Sequence, residues 1–147
     1  GLPPLSSDFL LAQFAIIGKG NTKKSLQRVK NYQKSVLGEY GCTSEACSKA
    51  IGNLNRLCPD MLQAAGEDSE GHPMMVFDIT NYDPKLLKEQ KVWTECMREF
   101  VAMMDALCAD LDDIRSGCIF AQSCKELGWK HFDLEMEKRY ADIYQDA

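Results

Sequence analysis

The sequence predicts an α/β protein in which an N-terminal module of three helices precedes a β-α-β-α unit. Three observations predict it. First, Pro73 to Thr80 carries Met74, Met75, Val76, Phe77 and Ile79, a nearly continuous apolar run of the kind a strand covered on both faces shows. Second, Gly117-Cys-Ile-Phe-Ala-Gln-Ser-Cys-Lys-Glu-Leu-Gly-Trp129 holds a compact apolar run, Cys118 to Ser123, then a break at Lys125–Gly128. It reads as a second, buried strand leading into a helix. Third, the stretch between them, Lys85 to about Leu111, places Leu86, Leu87, Val92, Trp93, Cys96, Met97, Phe100, Val101, Met104, Leu107 and Cys108 at helical spacing. A helix between two strands is the crossover that parallel strands need.

The remaining elements follow in order. Pro3 and Pro4 mark an irregular start, and Ser6, Ser7 or Asp8 can cap a helix from Phe9 to Ile17 that Gly18 and Gly20 end. Thr22 can cap a second helix to Tyr40, with Leu26, Val29, Tyr32, Val36 and Leu37 on its apolar face and Gly41 just past its end. Thr43 can cap a third, carried by Ala46, Cys47, Ala50, Ile51, Leu54 and Leu57 and stopped by Pro59. The polar run Glu67 to Gly71 is the expected linker, which gives a helical module over 1–66 and an α/β part over 72–147. Asn81-Tyr82-Asp83-Pro84 is a turn, and a break in the long helix is expected near Glu89–Lys91. Asp110, Asp112 and Asp113 form an acidic exit before the second strand. A last helix is expected from Lys130 to Tyr144, through Phe132, Leu134, Met136, Tyr140 and Ile143.

Composition limits the function classes. The 147 residues have a net charge of −5, which argues against nucleic acid as a partner. No apolar run reaches the roughly 18 residues of a membrane span, and no signal-peptide pattern is present. The chain opens on Gly1 rather than Met, as expected of a processed or excised piece. The seven cysteines, at 42, 47, 58, 96, 108, 118 and 124, form no Cys-x-x-Cys pair, and there are only two histidines. They are expected to be small buried hydrophobes in a reducing compartment, most simply the cytosol, with neither metal nor disulfides. No cofactor motif stands out, and neither His72 nor His131 has a serine or cysteine at the spacing of a nucleophile motif. There is no Gly-x-Ser-x-Gly elbow, no P-loop and no His-Glu-x-x-His helix, so no enzyme is expected.

Several pieces resemble one family in order. They are Phe9-Leu-Leu-Ala-Gln-Phe14, Lys24-Ser-Leu-Gln-Arg-Val-Lys-Asn-Tyr32, Gly71-His-Pro-Met-Met-Val-Phe77 with Asn81-Tyr-Asp-Pro84, and Gly117 through Leu127-Gly-Trp-Lys-His131. The ending Gln145-Asp-Ala147 adds a fifth. Together they resemble the CRAL-TRIO lipid-binding family, closest to its tocopherol and retinaldehyde branch, over roughly residues 8 to 147. The chain departs from the family's pattern at Gln13 and Ile16, where the first helix usually carries arginines. It departs again at Ser123, Cys124, Lys125 and Glu126, where Asp-Leu-Glu-Gly is usual.

The resemblance implies the N-terminal half of a lipid-binding cage, truncated before its remaining strands and gate. It implies binding and intermembrane transfer of a tocopherol-, retinoid- or phosphoinositide-type lipid without covalent chemistry. The alternative is a scaffold module that binds a protein partner. Under the resemblance the lipid would meet Cys118, Phe120, Gln122 and Cys124 from one face of the second strand. Phe100, Met104 and Cys108, whose four-residue spacing by itself reads as core packing, would join from the crossover helix, and Leu127 and Phe132 from beyond the strand. A separate signal lies in the charges. Phe9 to Gly38 contains no acid but Lys19, Lys23, Lys24, Arg28, Lys30 and Lys34, so this stretch carries +6 and the rest of the chain −11. Such a basic helical face suits peripheral contact with an anionic, phosphoinositide-rich membrane, at about 1 kcal/mol per residue near the surface.

Overall fold

The computed structural model describes residues 7–81 and 83–139. Pro3, Pro4, Ser6, Tyr82 and the stretch from Tyr140 to Ala147, with the end of the last expected helix and the Gln-Asp-Ala ending, lie outside them. The described chain mixes helices with a three-stranded sheet, which is compatible with the α/β class.

Helix α1 spans Asp8–Ile17, and its N-cap is Ser7, whose Oγ accepts the Leu10 amide at 3.3 Å. Helix α2 spans Thr22–Tyr32, but its cap is Asn21 rather than Thr22: Oδ1 of Asn21 accepts the Lys24 amide at 3.0 Å. The coil then widens into a π-helical segment, Gln33–Glu39. Gly41 follows at φ +58°, a left-handed position where glycine carries no Cβ penalty. Thr43 caps α3, Ser44–Ala50, by accepting the Ala46 amide. The single helix expected to Leu57 is broken at Ile51–Gly52, where Gly52 turns at φ +84°, and resumes as α4, Asn53–Leu57.

The first strand, β1 (Leu62–Glu67), was not expected. It pairs antiparallel with β2 (Pro73–Asp78) in the register Leu62↔Phe77 and Ala64↔Met75. The polar run Glu67 to Gly71 is therefore the turn of a hairpin. Asp68 organises that turn, accepting the amides of Glu70 and His72 while its second oxygen meets the His72 ring at 2.9 Å. The hairpin crosses the stretch where the sequence places a linker, and one core cluster takes residues from both sides of it.

After β2, Asp83 caps α5 (Pro84–Leu87), and the expected break falls at Lys88–Glu89. Helix α6 (Gln90–Leu107) is the crossover, followed by α7 (Leu111–Ser116), a turn of helix in place of the acidic exit. Asp110 and Asp113 form a capping box there, each side chain accepting the other's backbone N–H. Strand β3 (Ile119–Ser123) lies parallel to β2, with Met75↔Phe120 and Phe77↔Gln122 in register. The sheet order β1-β2-β3 leaves β3 at an edge, and Ile119 to Gln122 are exposed rather than buried. Strand β2 is covered unequally: Pro73 and Met75 are buried while Met74 and Val76 are half-buried.

The core sits around α6. Trp93 is 1% exposed, and Val92, Cys96 and Met97 are buried beside it with Tyr40, Cys47, Cys58, Met61 and Leu87. Residues 134–139 are helical and dock through Met136, which is 0% exposed. Asp133 caps that turn and pairs with Lys88 at 2.7 Å. Two polar links fix the N-terminal helices on α6. Arg98 Nε donates to the Tyr40 carbonyl at 2.9 Å, and the buried Glu99 carboxylate accepts the Gly52 amide at 2.8 Å.

Two outcomes follow from this packing. Trp93→Ala removes a large, fully buried side chain and should lower the unfolding free energy in urea by about 3–5 kcal/mol. Trp129, 91% exposed, should change it by less than about 0.5 kcal/mol when replaced by alanine. In the hairpin turn, hydrogen bonding to His72 holds the Asp68 carboxyl down at about 2, from 3.8, and Asp68 raises His72 above 6.5. The Asp68 contribution is present above the ordinary carboxyl range and is lost as pH falls towards 2. The His72 contribution is complete below 6.5 and is lost as pH rises through the raised midpoint. An NMR titration should find His72 above 6.5 and Asp68→Asn should bring it down; an unchanged midpoint would show that the pair is not the cause.

Candidate functional site

Helix α1 is apolar nearly all round, with Phe9, Leu10, Leu11, Phe14, Ile16 and Ile17 interrupted chiefly by Gln13. A helix of that kind needs contact on more than one side. It leans on α2 through Phe14 and Tyr32, whose rings meet edge to face at 5.4 Å. It does not close fully on the C-terminal half of α6. A cavity of about 330 Å³ remains between them, at the lower end of the range in which small molecules bind.

Its walls come from four places. Leu10, Gln13, Phe14 and Ile17 line it from α1, and Tyr32 and Val36 from α2 and its extension. Met97, Phe100, Val101, Met104 and Asp105 line it from α6. Cys108, Ile114, Gly117 and Cys118 close the end near α7 and β3. Nearly all of this surface is hydrocarbon or sulfur. The polar exceptions, Gln13, Tyr32 and Asp105, also line an adjoining cleft of about 750 Å³ with Thr43, Ser44 and Glu45. The apolar cavity thus meets a polar mouth at those three side chains.

Electrostatics at the mouth follow from partial burial. Desolvation raises the Asp105 carboxyl above its ordinary range, and desolvation followed by the Asp105 charge raises the Tyr32 phenol. Burial pushes the Cys108 thiol up to about 11, with smaller contributions from Cys118, which hydrogen-bonds it, and from Asp113. Cys42, hydrogen-bonded to Cys47, is likewise pushed up to about 12 by burial. These thiols behave as small core groups rather than as thiolates.

Of the residues expected at a lipid site, the structure brings Phe100, Met104, Cys108 and Cys118 to this cavity. Phe120, Gln122, Cys124, Leu127 and Phe132 do not line it. The reason is that β3 is an edge strand on which, among the described residues, no element packs closely enough to bury Phe120 or Gln122. Phe120 is 41% exposed and stacks on Phe77 at 6.2 Å. Cys124 is exposed, against the expectation of a buried thiol, and Phe132 lies beside the exposed Trp129 ring at 5.8 Å. The α1 residues and Tyr32 were not anticipated in the site. The sequence signal for them was the excess apolarity of α1.

The basic residues lie on the outside of the same wall. Lys19 sits in the α1–α2 turn at φ +51°, Lys23, Lys24 and Lys30 are exposed along α2, Lys34 is exposed just beyond it, and Arg28 is half-buried. Among the described residues none of the six forms an ion pair. Leu26 and Ile17, 51% and 44% exposed, add apolar surface among these cations. Among the described residues, no helix is long and apolar enough to cross a membrane, and no group of three His, Cys, Asp or Glu is placed to hold a metal ion. The buried His131 is held in a turn, its Nδ1 accepting the Gly128 amide at 3.0 Å.

No protein-family model matches the chain, and no curated protein matches it.

Proposed function

We propose that the protein binds one small hydrophobic molecule in the cavity between α1, α2 and α6 and exchanges it at an anionic membrane surface, without covalent chemistry. The observation that carries this reading is the double use of α2. Its inner side gives Tyr32 to the cavity, and its outer side carries Lys23 and Lys30, with Lys34 just beyond. Docking of that outer side would place the cavity wall at the lipid interface. Burying an apolar tail in a dry cavity gains about 0.8 kcal/mol per methylene, enough to hold a lipid that water expels. The protein would act as a peripheral, cytosolic carrier.

The β2-α6-β3 unit supports the finer reading as the first part of a CRAL-TRIO cage, since the two strands are parallel and joined by a helical crossover. Glu126 adds support. It stands where that family usually carries glycine and adopts φ +64°, the left-handed conformation that glycine takes most readily. Ser123, in place of the usual aspartate, hydrogen-bonds Asp78 at the end of β2. A second reading, a scaffold for a protein partner, is favoured by one feature: Trp129, Phe132 and Leu134, all within residues 129–134, are 91%, 60% and 73% exposed.

Vesicle sedimentation and fluorescent-lipid transfer test the carrier reading. Reversing Lys23, Lys30 and Lys34 to glutamate removes roughly 3 kcal/mol or more of attraction, so binding to anionic vesicles at low salt should fall about 100-fold. Transfer should fall with it, while the fold, read by circular dichroism, stays intact. Unchanged binding would leave these lysines as ordinary surface, and binding without transfer would favour the scaffold.

A further inference from the structure

We propose that the cavity selects its ligand by head-group charge, accepting an amphiphile with a hydroxyl or amine head and refusing one with a carboxylate or phosphate head. This rests on the carrier reading. Among the described residues, Asp105 is the one charged residue in the lining of the apolar cavity, and Glu45 is the one further charge lining the polar cleft beside it. Asp113 adds negative potential at the far end, beside Cys108. Two nearby cations stand off both linings: Lys49 pairs with Glu45, and Arg98, which donates its Nε–H to the Tyr40 carbonyl, keeps its charge close to Cys42 and Cys47 rather than to Asp105. The cations of α2 are on neither wall.

A head group that lets its tail fill the cavity comes to rest at Gln13, Tyr32 and Asp105. A hydroxyl there can donate to the Asp105 carboxylate and accept from the Gln13 amide or the Tyr32 hydroxyl. An ammonium can donate to the same carboxylate with charge assistance. A carboxylate or phosphate meets the Asp105 carboxylate at the mouth, where no cation among the described residues lines the wall to balance it. Such like-charge contact disfavours binding, in part screened by the solvent that reaches the mouth. Desolvation makes the repulsion stronger than it would be in open water. Two lipid specificities are therefore separated on the two sides of the wall that α2 forms. The outer face attracts anionic lipid as a docking surface, and the inner mouth excludes that same lipid as cargo.

The test is competition for the cavity at neutral pH by dodecanol, dodecylamine and dodecanoate, which share one chain and differ in head charge. Displacement of an apolar fluorescent dye is the readout. Dodecanol and dodecylamine should compete at least about tenfold better than dodecanoate in the wild-type protein. Asp105→Asn should narrow the gap between dodecanol and dodecanoate to less than about threefold, Asp105→Glu should keep it, and Asp105→Lys should favour dodecanoate. Asp105 is an exposed residue at the mouth, so these variants are expected to fold, which circular dichroism checks. If dodecanoate competes as well as dodecanol, or if Asp105→Asn leaves the discrimination unchanged, the head-group inference fails while the carrier reading stands. If neither the dye nor any of the three compounds binds, the carrier reading fails and the inference with it.

Discussion

The structure depends on how α6 divides its apolar surface. The helix must cover the sheet and support the N-terminal helices at once. Its first half does both completely, with Val92, Trp93, Cys96 and Met97 all buried. From Phe100 onward the side chains are half-buried or, at Asp105 and Ala106, exposed, although the sequence remains as apolar. The N-terminal helices are held to α6 by the Arg98–Tyr40 and Glu99–Gly52 hydrogen bonds, which fix α3 and the end of the α2 extension around its middle. Helix α1 is left to cover the remainder, and it packs mainly on α2 and α7. The cavity is the space this arrangement leaves. Protein interiors seldom leave such space unfilled, because each lining atom forfeits dispersion contacts. A carrier has reason to keep one.

How much of this the sequence discloses depends on the kind of information each residue carries. Helix α6 was legible because its apolar residues recur at helical spacing, and β2 and β3 were legible as short apolar runs bounded by turn residues. Their parallel pairing followed from the helix between them. Strand β1 was not legible. Gln63, Ala64, Ala65 and Gly66 have neither alternation nor β-branched side chains, and the segment is a strand because β2 offers it hydrogen bonds. The burial of β3 was misjudged because a continuous apolar run looks the same at the centre of a sheet and at an edge. The short helix α7 was hidden inside an acidic run, where Asp110 and Asp113 act as caps rather than as a solvated tail.

The candidate site was legible by half. Periodicity marked Phe100, Met104 and Cys108 as one apolar helix face and the strand run marked Cys118, both local signals, and it was the family resemblance that gave them a ligand. The opposite wall was missed because it is a tertiary fact: α1 has no single apolar stripe to show which side meets α6. Gln13 marks a departure from the resembling family's usual arginine, and it lies at the mouth of the cavity. With glutamine at 13 and aspartate at 105, the mouth offers hydrogen bonds without positive charge. The basic run from Lys19 to Lys34 lies outside the cavity lining, in the α1–α2 turn, on α2 and just beyond it.

The central claim is that an apolar ligand enters between the helices and not on the sheet. Photocrosslinking with a dodecanol bearing a diazirine near the end of its tail, followed by peptide mass spectrometry, tests it most directly. The account predicts saturable labels on α1 and α6, at Phe14, Met104 and their neighbours, suppressed by unlabelled dodecanol. Labels confined to Ile119 and Phe120 of β3, or to Trp129 and Phe132, would contradict it and move the site to the exposed edge of the sheet or to the surface beyond it.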